Sequence, residues 1–168
     1  MSSDDKVKSG VGVIVVKGTK ILAGRRIGSH GAGALCFPGG HIELNDKSMK
    51  TCGEREVFEE TGIICDVISI DGHREELFTT YDILSENKDK RYVTPYLLAK
   101  YLYGGDQFYD EEAKLDAVAP NEPDKCECWH WYSLEELSKT VYSDPQSKVW
   151  IPINQVIYYL TKYWNTNA

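Results

Sequence analysis

Arg55-Glu56-Val57-Phe58-Glu59-Glu60-Thr61-Gly62-Ile63 is the stretch from which the rest of the chain is best read. On a helix, Glu56 and Glu60 stand four residues apart and Glu56 and Glu59 three apart, so three carboxylates project from neighbouring positions of one face. Each like-charge pair costs about a few tenths of a kcal/mol on an exposed helix. A solvated acidic face is the commoner reading of a Glu-rich helix. Here it must also account for Arg55 and Gly62, and five specified positions of ordinary usage would arise in a chain this long with odds on the order of 10⁻⁴. A divalent cation that neutralises the cluster explains the positions better. Mg²⁺ fits best, because it takes a few carboxylates together with waters and phosphate oxygens, and the segment offers no thiolate or imidazole to a softer metal.

Ser48 has the chemistry of an N-cap and Gly62 that of a left-handed C′ residue, which predicts a helix from Ser48 through Thr61. Gly53 inside it weakens the helix by up to about 1 kcal/mol relative to Ala and predicts close packing behind it. Upstream lie two strand candidates, Val11 to Lys17 and Ile21 to Arg25, a glycine-rich loop from Gly28 to Gly33, a short strand Leu35-Cys36-Phe37, and the tight turn Pro38-Gly39-Gly40. Downstream, Ile63 to Ile70 alternates as a strand. Glu76 to Leu84 and Tyr92 to Leu102 look paired across the polar turn Ser85 to Arg91. Pro95 should make the second of these an edge strand or a bulge, since proline cannot donate to a central ladder. Gly104 to Lys125 is acidic and poorly periodic, and reads as a long loop. Cys128 to Tyr132 is a further strand, in which Trp129 and Trp131 alternate as packing residues. Ser133-Leu134-Glu135-Glu136 matches a capping box, and Pro152 to Trp164 has the apolar spacing of a closing helix. There are no internal repeats. Strands and helices mixed without strict βαβ alternation give an α+β fold, a sheet between helices. Residues 1–10, polar and rich in Asp and Lys, read as a flexible tail, and residues 11–168 as one domain.

The 168 residues carry 19 Lys plus Arg against 26 Asp plus Glu, a net charge of −7. That balance leaves no basic footprint for a nucleic-acid polymer, and a small anionic substrate would need local cations or metal. No apolar run approaches the roughly 18 to 20 residues that span a bilayer, so no membrane partner is expected. Cys36, Cys52, Cys65, Cys126 and Cys128 form no CxxC pair, and the odd count suits reduced thiols in the cytoplasm. Zinc is disfavoured, and His30, His41, His73 and His130 are scattered without ligand spacing.

Gly39-Gly40 through Ile63 resembles a Nudix box, the loop-helix-loop signature of hydrolases that cleave nucleoside diphosphates linked to another group. The resemblance runs from about Val11 to Trp150. Gly12-Val13, Gly24-Arg25-Arg26, the loop at 31–33, Pro38-Gly39-Gly40-His41 and Glu122 to Trp131 are similar to MutT-like eukaryotic nucleoside triphosphate diphosphatases that act on 8-oxo-dGTP and thiopurine nucleotides. A plant Nudix enzyme of geranyl diphosphate is similar as well. One departure concerns the glutamate usual eight positions before the box arginine, where Lys47 stands; one inserted residue would put Asp46 in that role.

The resemblance implies an α/β/α sandwich with a mixed sheet, and Mg²⁺, or Mn²⁺ in its place, held by Glu56, Glu60 and the Gly39 carbonyl. Glu59 would add charge for further metal, and Arg55 would orient a glutamate. Around the substrate it implies Arg26 as a phosphate clamp, Gly40 and Phe37 along the pocket, and Trp150 against the base, with a bland surface role as the alternative for Arg26 and a core role for Phe37 and Trp150. His41 flanks the box. The implied reaction converts a nucleoside triphosphate, oxidised purine dNTPs among them, to monophosphate and pyrophosphate. Nucleotide sugars, ADP-ribose or a prenyl diphosphate are the rival substrates, and a Nudix-shaped binding module without turnover is the rival class. Both a monomer and a homodimer fit this reading.

Overall fold

The computed structural model describes residues 7–28, 31–83 and 91–167. Strand β1 (Val7–Lys17) turns through Gly18 into β2 (Lys20–Arg26), followed by β3 (Leu35–Cys36) and β4 (Gly39–His41). Helix α1 (Met49–Thr61) leads to β5 (Ile63–Ile68), β6 (Glu76–Ile83), β7 (Arg91–Gly104), β8 (Gln107–Asp110), β9 (Leu115–Val118) and β10 (Cys126–Ser133). The chain closes with α2 (Leu134–Ser143), α3 (Ser147–Trp150) and α4 (Ile153–Thr166).

The strands run β5-β7-β1-β2-β10-β9-β8, with β6 also on β7. β1 and β7 are parallel and every other pairing is antiparallel. β1 pairs with β2 only at Val16–Ile21 and Lys17–Lys20, after which the hairpin splays. The fork is filled from inside, by β4 on Gly10 to Gly12 of β1 and by β3 on Gly24 and Arg25 of β2. The Pro38-Gly39-Gly40 turn is thereby anchored at the middle of the sheet, where Val13 N–H donates to the Pro38 carbonyl at 2.8 Å. Alternation along β1 sends Val13 and Val15 to the face covered by α1, and Ile14 and Val16 to the face covered by α2 and α4. The result is the expected α+β sandwich of helices about a mixed sheet.

Helix α1 begins and ends where its caps require. Ser48 Oγ accepts from Thr51 N–H at 3.1 Å while Thr51 Oγ1 accepts from Ser48 N–H at 3.0 Å. Gly62, at φ 71°, returns its N–H to the Phe58 carbonyl at 2.8 Å. A Cβ on Gly53 would come within 2.7 Å of Leu97 Cδ1 and 3.1 Å of Val13 Cγ2, so the helix lies close on the sheet at that point.

Three expectations need correction. β1 starts at Val7, so residues 7–10, expected in the tail, are strand: Lys8 and Ser9 pair with Tyr92 and Val93, and Gly10 with His41. The segment 104–125 is no long loop, because β8 and β9 form a hairpin laid onto β10. Its turn is built by Asp110, whose Oδ1 accepts from Glu112 and Ala113 N–H at 3.0 Å each. Pro95 lies on an interior strand, and its missing donor falls where the β1–β7 ladder skips from Ser9–Val93 to Gly12–Tyr96. Residues 1–6 of the expected tail, His30, and the turn expected at Ser85 fall outside the described residues. Trp129 and Trp131 are both buried in the core under α1, as their alternation suggests. Among the described residues, no helix is long and apolar enough to cross a membrane.

Candidate active site

The fork in the sheet and the front of α1 enclose a cavity of about 610 Å³. Glu56, Glu59 and Glu60 line it from α1, Gly39 and Gly40 from β4, Phe37 from the turn, Arg26 from β2 and Trp150 from α3. Arg55 stands behind these groups. Its Nε and Nη2 donate to the two oxygens of Asp46 at 3.1 and 2.9 Å, a forked pair in which the Asp46 side chain is only 6% exposed. Asp46, which one inserted residue places in the role of the usual glutamate, therefore makes both bonds. Nη2 also donates to the His41 carbonyl at 3.1 Å.

Arg55 Nη1 reaches Glu56 Oε1 at 2.9 Å and Glu59 Oε2 at 3.1 Å. The acidic face thus carries a counter-charge of its own, which the spacing of the three glutamates alone does not reveal. Glu59 remains half exposed. Glu60 is different, lying deep and held by Gly39 N–H at 3.1 Å. Burial is the main cause that pushes its carboxyl up to about 8; the Gly39 bond opposes the shift, and Glu56 and Glu122 add to it. Burial raises Glu56 as well, against the pull of Arg55. Burial thus disfavours the charged forms of both inward carboxylates.

The donors fit a hard divalent cation. They are carboxylate oxygens from Glu56 and Glu60, and the thiols nearby do not compete, since burial pushes Cys36 up to about 12 and Cys126 higher still. Among the described residues, no three His, Cys, Asp or Glu side chains stand in a ready ligating group. Waters and substrate oxygens would complete the shell, the arrangement Mg²⁺ favours.

Gly40 sits so close to Glu56 that a Cβ there would overlap its carboxylate. We expect Gly40→Ala to move that carboxylate, because the end of a side chain yields more easily than backbone. kcat should fall at least about tenfold, the scale for misplaced ligands, with the melting temperature nearly unchanged. Equal kcat in both proteins would show that the position of Glu56 is immaterial.

The cavity also contains groups that the sequence did not single out. Glu122 and Lys125, an ion pair at 2.9 Å, face it from the turn before β10, and Lys125 is held protonated by Glu122. Asp82, Tyr92, Thr94 and Tyr96 line it from β6 and β7. The alternation Tyr92, Thr94, Tyr96 was the available signal, with Asp82 directly across from Tyr92. His41 borders the cavity, whereas His130 is engaged by Asp110 at 2.8 Å on the far side of β10.

Residues 6–152 match the NUDIX domain family. The chain belongs to that family. Its members are hydrolases that act on diphosphate bonds of small substrates, nucleotides among them, and generally use divalent ions, typically Mg²⁺. Solved structures agree on the fold. A MutT NUDIX hydrolase from Burkholderia pseudomallei superposes with a TM-score of 0.59 at 23% identity, covering 78% of this chain and 86% of that one. A NUDIX hydrolase from Nitrosomonas europaea gives 0.56 at 20% identity, covering 80% and 77%. A UDP-X diphosphatase gives 0.53 at 19% identity, covering 78% and 53%. Proteins with differently named activities thus share this architecture, and the architecture leaves the substrate open.

Proposed function

We propose that this Nudix hydrolase converts nucleoside triphosphates, with 8-oxo-dGTP and other oxidised purine dNTPs as preferred substrates, to the monophosphate and pyrophosphate. The supporting observation is one cavity, of a volume suited to a nucleotide, that joins the α1 carboxylates to two cations and several aromatic rings. Glu56, Glu60 and the Gly39 carbonyl would hold Mg²⁺ or Mn²⁺, with Glu59 adding charge beside them. Bound there, the ion offsets phosphate charge and makes an attacking water more acidic. Arg55 fixes Glu56 from behind. Arg26 and Lys125 bind phosphate oxygens, and Phe37, Gly40, Tyr96 and Trp150 shape the remainder of the pocket.

In the reaction a water oxygen bonds to one of the two phosphorus atoms of the α–β bridge, the P–O bond from that atom to the bridging oxygen breaks, and the oxygen departs on the other phosphorus, giving monophosphate and pyrophosphate. A carboxylate of the α1 cluster takes the water's proton. The hydrolase unit is residues 11–168 together with the strand residues that precede them, and its five free thiols suit the cytoplasm. A panel of 8-oxo-dGTP, dGTP, ADP-ribose, a nucleotide sugar and geranyl diphosphate, read by product chromatography, tests the assignment. The highest kcat/KM should belong to 8-oxo-dGTP, with pyrophosphate released. Preference for geranyl diphosphate or ADP-ribose would replace the nucleoside triphosphate reading.

A further inference from the structure

Trp150 and Arg26 are far apart in sequence and meet in the cavity wall, with the guanidinium 3.9 Å from the centre of the indole ring. Trp150 is held at both its ring and its backbone. Gly31, at φ 71°, leaves no room for a side chain, because a Cβ there would lie 2.5 Å from Trp150 Nε1. Tyr96 Oη donates to the Trp150 carbonyl at 3.3 Å. The short helix α3 that carries Trp150 is tied to β3, since Ser147 Oγ accepts from Leu35 N–H at 3.0 Å and donates to Asp144 Oδ2 at 2.7 Å. Arg26 lies against the ring from one face and against the Cys36 thiol elsewhere.

We infer that Trp150 is a positioning residue for Arg26, its indole holding the guanidinium plane so that the edge donors address the diphosphate of bound substrate. This rests on the phosphate role proposed above for Arg26. The physical reason is that a guanidinium is weakly hydrated and stacks well on an aromatic face, while its N–H donors lie in its own plane and remain directed outward at the rim of the stack. An indole fixed by Gly31, β7 and α3 sets that plane before substrate arrives, which reduces the ordering cost of forking onto phosphate oxygens. Trp150 then serves every diphosphate substrate alike, whatever group the diphosphate carries. A base stacked on the indole would instead make its contribution specific to nucleotides.

The test is the affinity of the full chain for inorganic pyrophosphate with Mg²⁺, measured by calorimetry beside thermal melts. The proteins are wild type, Arg26→Ala, Trp150→Leu, Trp150→Phe and the double variant Arg26→Ala/Trp150→Leu. Leu retains apolar bulk without a ring, and Phe retains a ring. Arg26→Ala and Trp150→Leu should each weaken binding by about 3- to 30-fold, the scale of a partly desolvated cation–π contact, and Phe should stay within about threefold of wild type. The double variant should bind as Arg26→Ala does, because the ring acts only through the cation. Wild-type affinity in Trp150→Leu, equal losses in the Leu and Phe variants, or losses that multiply in the double variant would each overturn the inference. A wild-type protein that binds pyrophosphate while cleaving nothing on the substrate panel would overturn the proposed function and leave this inference standing.

Discussion

Glu60→Gln should lower kcat by at least about 100-fold, because it removes one anionic ligand from the place where the charge of the reacting phosphate must be met. The same substitution should leave the metal-free protein as stable as wild type or more so. The sign follows from the environment of Glu60: burial holds its carboxyl near 8, well above its ordinary value, so the folded state disfavours the charged form. Between the ordinary carboxyl range and about 8, folding therefore loses stability as pH rises, and a neutral amide escapes that loss. Gln can still accept the Gly39 N–H. Steady-state kinetics and thermal melts at pH 7.5 without metal check both halves. Wild-type kcat in Glu60→Gln would remove Glu60 from the metal set.

Arg55→Ala should damage activity and stability together, unlike Glu60→Gln. The guanidinium forms a fork to Asp46 and bridges Glu56 and Glu59, so its loss leaves Asp46 with the Glu43 N–H but without its counter-charge, and two carboxylates repelling at the cavity. kcat should fall by about 10- to 100-fold, the range for losing a group that orients a ligand. The melting temperature should fall by about 5 °C or more. Arg55→Lys keeps the charge but cannot reproduce the fork, and should lie between the two. An Arg55→Ala protein that melts and turns over as wild type does would show that the network is incidental.

The parts of this molecule that local chemistry dictates are visible in its sequence. Ser48 and Gly62 bound α1 because capping and a left-handed turn are properties of a few adjacent residues. Gly53 inside that helix signals the close packing on Leu97 and Val13. Features made by distant partners are not visible in this way. Residues 7–10 are mostly exposed and polar, so no burial pattern marks them as strand, and only pairing with β7 and β4 makes them one. β8 and β9 have four residues each, too few for alternation to register, and they exist because Trp129 and His130 offer β9 a pairing edge. Within the site, the glutamates of α1 could be read from their spacing, and Asp46 only from the family resemblance once an inserted residue was allowed. The stack of Arg26 on Trp150 and the approach of Glu122 and Lys125 to the cavity depend on how the sheet folds back, and no local pattern encodes them.

Turnover by this site should depend on a divalent cation. The protein, stripped with excess chelator and assayed on the best substrate of the panel, should show no turnover, and activity should return on adding Mg²⁺ or Mn²⁺ beyond the chelator. Full turnover in excess chelator would show that the α1 carboxylates act without a metal ion.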